Sequence, residues 1–345
     1  MKAFFTSLMT DKRKGIIFTP LKAVLYIFSL IYAAAIILRK ILYSLHIFTK
    51  RKAPLKIISV GNLTLGGTGK TPFAINLARI LESDMKKNVC VLIRGYGWDE
   101  QEMLKRNLSD VPILVGSDRL RSSYKAVKLY ASDTAILDDG FQHWEIARDL
   151  DIVLIDSRSP FGNGKLFPRG ILREEKKALN RADAIVFTKV NKKTCDIESL
   201  KKEISGIKKG IIFLQAIHAP TFFYEGRAKR RFELSHVSGK RVILLSSIGD
   251  PSYFEETIKD LGANIIEHIT FADHHNYRQA DIEHVIARCN ERSFDFVVTT
   301  EKDIVKLNRL SLSIGQYTLL TLAIEMRITA GKELLIDRLH SLYTG

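Results

Sequence analysis

The stretch Ser59-Val60-Gly61-Asn62-Leu63-Thr64-Leu65-Gly66-Gly67-Thr68-Gly69-Lys70-Thr71-Pro72, followed by the run FAINLARILES, decides the fold. An apolar strand over Lys56–Val60 enters a glycine-rich turn, and Gly-Lys-Thr then opens a helix. A bound nucleoside triphosphate requires this order. Glycines let backbone N–H groups close around phosphates, and the helix N-terminus adds its dipole. Lys70 reaches the β and γ oxygens, while the Thr71 hydroxyl can hold Mg²⁺. Gly66, Gly67, Thr68, Gly69, Lys70 and Thr71 are therefore the expected phosphate-binding set. The strict pattern places glycine at position 64; Thr64 stands there, and Gly66-Gly67 supply the flexibility.

Working outward, a second apolar strand over Thr134–Leu137 runs into Asp138-Asp139-Gly140-Phe141-Gln142-His143. A carboxylate at the C-terminal end of such a strand is the acidic half of a phosphate-loop site, where it holds Mg²⁺ directly or through water. Neighbouring residues of a strand point in opposite directions, so one aspartate faces the metal and the other a neighbouring group. Further apolar runs at Val89–Ile93, Ile152–Ile155, Ala184–Thr188, Ile211–Leu214, Val242–Ser246 and Phe296–Thr300 are separated by helical stretches. Buried strands of this kind indicate a mostly parallel sheet with crossover helices, an α/β fold of the P-loop NTPase kind with a second, smaller α/β domain. The expected division is an N-terminal helical segment over 1–50, a P-loop domain over 51–218, a hairpin-like linker over 219–240 and a C-terminal α/β domain over 241–345. The segment Leu104–Ser109 carries no decisive pattern.

Net charge is +15, with 46% hydrophobic and 26% charged residues, an ordinary globular composition that excludes a disordered or fibrous chain. Through Lys52 there are ten Lys or Arg against the single acid Asp11, so most of the excess sits in one segment. That segment contains Ala23–Leu38, sixteen residues without charge, flanked on both sides by basic clusters. Basic and strongly apolar together, it suits an anionic membrane surface rather than nucleic acid. As a helix the uncharged run is about 24 Å long, against roughly 30 Å of hydrocarbon. A helix lying in one leaflet and a tilted single span both remain open. Cys90, Cys195 and Cys289 are far apart and without metal-ligand spacing, which fits a reducing compartment.

Five further motifs lie in a fixed order: Arg94-Gly95-Tyr96-Gly97-Trp98-Asp99-Glu100, the double aspartate ending in Gln142-His143, Leu166-Phe167-Pro168-Arg169-Gly170-Ile171-Leu172-Arg173-Glu174, Phe271-Ala272-Asp273-His274-His275 and Thr299-Thr300-Glu301-Lys302-Asp303. In this order the chain resembles the tetraacyldisaccharide 4′-kinases from the N-terminal apolar helix to about Lys306. The resemblance implies ATP and Mg²⁺ as cofactors and an acylated glucosamine disaccharide 1-phosphate as the lipid acceptor. It implies action at the cytoplasmic face of the inner membrane, with the N-terminal helix as the attachment. It also implies Asp99 paired with His274, Lys70 and Thr71 on phosphate and metal, Asp138 and Asp139 as the acidic pair, and Arg173-Glu174 near the transferring phosphate, Glu174 among the metal ligands. Two departures stand out. The segment between Arg-Gly-Tyr and Asp-Glu shrinks to Gly97-Trp98, and Arg169 stands where a small residue is usual.

The chemistry of these roles stands apart from the resemblance. A sugar hydroxyl is a poor nucleophile at neutral pH, so a carboxylate or imidazole must accept its proton as the P–O bond forms. Asp99 with His274 can do this as a pair, and Arg173 can stabilise charge on the transferring group. Lys302-Asp303 suits either a base contact or a helix cap. The competing reading is a membrane-associated P-loop ATPase or switch that has no lipid acceptor. Thr188-Lys189-Val190-Asn191 only loosely matches the Asn-Lys-x-Asp element of guanine readers.

Overall fold

The computed structural model describes residues 2–11, 13, 15–95, 97–192, 195–225, 230–309 and 317–344, with the backbone alone at 2–4 and 6. Lys12 and Lys14 of the basic cluster before Ala23, Tyr96 of the Arg-Gly-Tyr motif, and residues 226–229 of the expected linker lie outside the described residues. The chain runs through α1 (Lys2–Met9), α2 (Thr19–Ser44), β1 (Lys56–Asn62), α3 (Lys70–Arg79), β2 (Val89–Ile93), α4 (Trp98–Asn107), β3 (Ile113–Val115) and α5 (Arg119–Tyr130). It continues through β4 (Thr134–Asp138), β5 (Leu150–Asp156), β6 (Ala184–Thr188), α6 (Ile197–Ile207), β7 (Ile212–Glu225), β8 (Arg230–Phe232), β9 (Arg241–Ser246) and α7 (Pro251–Asp260). The last elements are β10 (Asn264–Thr270), α8 (Gln279–Asn290), β11 (Phe296–Thr300), α9 (Glu301–Arg309), β12 (Leu319–Ala330) and α10 (Lys332–Ser341). Leu104–Asn107, undecided in the sequence, completes α4.

Two compact units result, one of Met1–Tyr96, Leu108–Ile217 and Met326–Gly345, the other of Gly97–Asn107 and His218–Glu325. In the first, strands follow the order β7-β6-β5-β1-β4-β2-β3 and pair in parallel. Both sheet faces are covered, which is why its strands read as unbroken apolar runs. Ile57, Leu92, Ala135 and Leu137 pack with Ala126 of α5 on one side; Val153, Ile185 and Phe187 pack with Leu200 and Ile204 of α6 on the other. Register is decisive for the site. Val60 pairs with Asp138, so the turn after β1 and the aspartates after β4 leave the sheet side by side at its C-terminal end, where parallel sheets bind ligands.

The second unit orders its strands β10-β9-β11-β12, again parallel, and β8 folds back antiparallel on the end of β7 with Phe223 opposite Phe232. Alternation along β9 sends Val242 and Leu244 to a cluster with Phe254 and Ile258 of α7, and Ile243 and Leu245 to one with Val285 of α8 and Ile304 of α9. Three strands escaped the sequence pattern. β3 is only three residues long, β10 is an edge strand interrupted by Glu267 and His268, and β12 is only partly buried along its length.

α2 is the one helix among the described residues long and apolar enough to cross a membrane, and little of it is buried. Leu25 and Ser29 are buried, and the half-buried positions Leu21, Lys22, Tyr32, Ala33, Ile36, Arg39, Leu42 and Tyr43 lie along the same side of the helix, a stripe that runs its whole length. The opposite side exposes Val24, Ile27, Phe28, Ile31, Leu38 and Ile41.

Candidate active site

In the first unit the phosphate loop is built by close approach. A Cβ on Gly61 would meet the backbone N of Phe141 at 2.7 Å, so only glycine lets the end of β1 pass beneath the loop after β4. Gly69 caps α3 at φ +89°, a left-handed conformation that glycine adopts without strain. Asn62 donates to the Thr68 hydroxyl at 3.1 Å and Thr188 donates to the Thr68 carbonyl at 3.0 Å, which pins the turn from both sides. Lys70 Nζ lies 3.5 Å from Asp139, and the Thr71 hydroxyl lies 3.4 Å from Asp138 Oδ2.

The aspartates diverge. Asp138 is buried beside Thr71, and its carbonyl accepts from the buried Arg119 at 2.9 Å. Asp139 turns away at φ +52° and accepts from Arg173 through both oxygens, at 2.8 and 2.9 Å. Burial alone would raise the Asp139 pKa, but Lys70, Arg173 and Arg119 outweigh it and hold the carboxyl down at about 2. Lys70, Arg173 and Arg119 thus surround a position suited to anionic phosphate. Thr71 and Asp138 suit Mg²⁺, which keeps several waters and takes one or two protein oxygens besides phosphate. Glu174 does not. Both of its oxygens accept from Arg181 at 2.9 Å, and that guanidinium lies over Phe141 and Trp144, so the expected metal ligand is instead half of a buried ion pair.

In the second unit, α4 packs on α9 and brings Asp99 to the loop after β10. His274 Nδ1 lies 3.3 Å from Asp99 Oδ2; the carboxylate is 5% exposed and the imidazole 41%. His274 sits at φ +58°, a strained conformation for a non-glycine residue of the kind found at functional sites. Lys302 Nζ lies 3.2 Å from His274 Nε2 and 3.8 Å from Asp99, while Lys306 Nζ lies 3.5 Å from Asp99 and donates to Ser247 at 2.7 Å. Burial pushes the Asp99 pKa up, but the hydrogen bond from His274 and the charges of Lys302 and Lys306 win and keep it ionised well below the usual carboxylate range. An ammonium can only donate, so the tautomer that accepts from Lys302 at Nε2 is the one with its proton on Nδ1, towards Asp99.

Asp303 anchors this arrangement from below. Wholly buried, it accepts from the Ser247 amide at 3.1 Å, Tyr277 at 3.2 Å and Thr300 at 2.7 Å, and faces Lys306 at 3.5 Å. The Thr300 hydroxyl in turn accepts from the Asp303 amide, so the cap alternative for this residue is the one the hydrogen bonds display. His275 is held by Asp281 and stacks on Phe271, a packing role. The sequence patterns assign no role to Arg119, Gln142, Arg181 or Lys306. Lys306 had a signal: it lies one helical turn beyond Lys302. The contact of Arg119 with the Asp138 carbonyl had none, since it depends on α5 passing the end of β4.

A sequence profile described as Tetraacyldisaccharide-1-P 4′-kinase matches residues 21–342. The tetraacyldisaccharide 4′-kinase of Syntrophus aciditrophicus is 35% identical over 319 residues, covering 84% of this chain and 85% of its own. That of Halothermothrix orenii is 34% identical over 325 residues, covering 84% of each chain. Among solved structures, LpxK from Aquifex aeolicus in complex with ATP superposes with a TM-score of 0.73 at 26% identity, covering 94% of this chain and 99% of that one. With the profile covering nearly the whole sequence, the chain belongs to the tetraacyldisaccharide-1-phosphate 4′-kinase family.

Proposed function

We propose that the chain moves the γ-phosphate of ATP to the 4′-hydroxyl of an acylated glucosamine disaccharide 1-phosphate at an anionic membrane surface. The observation that carries this reading is the pairing of Asp99 with His274 in a chain whose Gly69-Lys70-Thr71 turn and Asp138 share one sheet end. The γ-phosphate is held by Lys70, Arg173 and backbone N–H groups at the start of α3. Thr71 and Asp138 would hold Mg²⁺, which when bound would neutralise charge on the phosphates.

The acceptor oxygen attacks the γ-phosphorus, the bond to the bridging oxygen breaks, and the hydroxyl proton must leave. Asp99 is held too strongly ionised to be a good base, so His274 Nε2 takes the proton in place of the Lys302 hydrogen bond, while Asp99 fixes the tautomer and offsets the new charge. Arg173 meets charge on the transferring group.

α2 serves as the attachment. Its docked stripe runs its full length, so a bilayer span would have to strip these contacts, whereas a helix lying in the cytoplasmic leaflet keeps them and buries Val24, Ile27, Phe28 and Ile31 in lipid. Acyl chains that stay in the membrane explain why a phosphate-loop enzyme carries such a helix. The basic flanks then meet anionic lipid, with no role for nucleic acid. The test is direct: purified chain, ATP, Mg²⁺ and tetraacyldisaccharide 1-phosphate in detergent micelles should yield 4′-phosphate. Release of free phosphate with no phosphorylated lipid would favour an ATPase instead.

A further inference from the structure

Within the apolar run Ala23–Leu38 of α2, the hydroxyls of Ser29 and Tyr32 bond one loop of the protein rather than lipid or water. Ser29 Oγ accepts from the Arg169 amide at 2.8 Å and shares its proton between the carbonyls of Leu25 at 3.0 Å and Leu166 at 2.9 Å. Tyr32, one turn on, donates to the Arg173 carbonyl at 3.0 Å, and its ring meets Phe167 edge-on at 5.8 Å. The segment they grip is also tied to the phosphate loop. The Arg173 amide donates to the Leu63 carbonyl at 2.8 Å, and the Leu65 amide donates to the Ile171 carbonyl at 2.7 Å. Residue 173 is therefore fixed on both sides of its backbone, by α2 at its carbonyl and by the phosphate loop at its amide. A second clamp comes from Asp11, the lone acid of the first 52 residues. It accepts from Arg169 at 2.9 and 3.1 Å, Asn163 at 2.8 Å and Lys22 at 2.6 Å. Burial alone would raise its pKa; these three partners outweigh that and hold it far below the ordinary value.

We propose that Ser29 and Tyr32 are positioning residues for phosphoryl transfer: through the backbone of 166–173 they set the guanidinium of Arg173 against Asp139 and the phosphate position. This rests on the kinase reading above and deepens it, because it gives the membrane helix a part in turnover besides attachment. A hydroxyl in an apolar helix costs stability unless it is bonded, and here each of the two hydroxyls bonds one loop that ends at one arginine. Arg169, unusual in its position, contributes the side chain that Asp11 holds and the amide that Ser29 receives.

The test uses the full chain in micelles with ATP, Mg²⁺ and the disaccharide acceptor. Tyr32→Phe and Ser29→Ala should each lower kcat roughly three- to tenfold, the scale of one lost hydrogen bond, with KM for ATP little changed. Ser29→Thr should restore most of the loss. In an Arg173→Ala background Tyr32→Phe should cost nothing further; an equal loss in both backgrounds would overturn the proposal. Amide hydrogen exchange provides a readout independent of activity. Ser29→Ala should speed exchange across 166–173 and leave 73–79 of α3 unchanged, and unaltered exchange across 166–173 would also overturn it. Failure of the unsubstituted chain to make 4′-phosphate would count against the functional reading alone, since exchange rates decide the strap by themselves.

Discussion

Lys306 Nζ and Asp99 Oδ2 lie 3.5 Å apart with each side chain only 5% exposed, and this buried contact joins His274 and Lys302 in keeping Asp99 ionised. Burial by itself raises the Asp99 pKa; the hydrogen bond from His274 and the charges of Lys302 and Lys306 outweigh it. Because the folded pKa is depressed, the charged dyad is fully present above the ordinary carboxylate pKa and is lost only as pH falls towards the depressed value. Lys306→Met should raise the pH at which the Asp99 carboxyl takes up its proton, followed by NMR of the labelled carboxyl, while Lys306→Arg, which keeps the charge, should move it far less. Titration of that carboxyl at the same pH in the Met and Arg variants would show that Lys306 does not govern Asp99.

Asp99→Ala and His274→Ala should each reduce kcat by about 10²–10⁴-fold if the imidazole takes the proton and the carboxylate orients it. Residues that act as one unit are non-additive, so the double variant should be little worse than the poorer single one. Steady-state kinetics on all three variants measures this, and multiplicative losses would mean that the two side chains serve separate purposes.

Metal dependence separates the ligands that fit from the one that does not. Thr71→Ala should raise the Mg²⁺ concentration needed for half-maximal turnover, because its hydroxyl lies beside Asp138 in the expected metal position. Glu174→Gln should leave that concentration unchanged and lower the thermal midpoint instead, since it breaks the paired bonds to Arg181. A Mg²⁺ titration of each variant, with a melting curve beside it, distinguishes the two.

The parts of the molecule legible in the sequence are those governed by local rules. The strand-turn-helix at 56–79 and the apolar run into Asp138 announce themselves because backbone geometry, glycine and helix start occur together within a few residues. The lone pattern His274 gave no such signal; its partners Asp99, Lys302 and Lys306 come from α4 and α9, and only tertiary packing joins elements so far apart in the chain. The partner of Glu174 was hidden for the same reason. Next to Arg173 the glutamate resembles a metal ligand, yet Arg181, seven residues away across a turn, claims both oxygens. Short or partly polar strands such as β3 and β10 escape a reading based on buried apolar runs because they lie at sheet edges.

His143 should make the fold acid-sensitive well above the range where carboxylates titrate. Burial lowers its pKa first, and Arg119, Arg148, Arg39 and Arg94 lower it further, down to about 4 from an ordinary 6.5. Between these values the unfolded chain binds a proton that the folded chain does not, so stability present above pH 6.5 declines as pH falls towards 4. Urea midpoints measured at pH 7 and pH 5 should therefore differ more in the parent chain than in His143→Gln, and an equal difference in both would remove His143 as the cause.

The docked stripe on α2 predicts how the helix meets a bilayer. If it lies flat, its two ends stay on the same side of the membrane, and the side opposite Ser29 and Tyr32 supplies the apolar contact. Ile27→Lys with Ile31→Lys places two charges where lipid is expected, which should abolish sedimentation with anionic vesicles while nucleotide binding persists, because neither residue touches the phosphate loop. A spanning helix would also suffer from these charges, so the deciding measurement is topological. With protein bound to the outside of sealed vesicles, a protease site placed before α2 and one placed after Ser44 should both be cut. Protection of the first site alone would establish a span and would require the contacts of Ser29 and Tyr32 to break on membrane entry, which the same vesicles could reveal as faster exchange across 166–173.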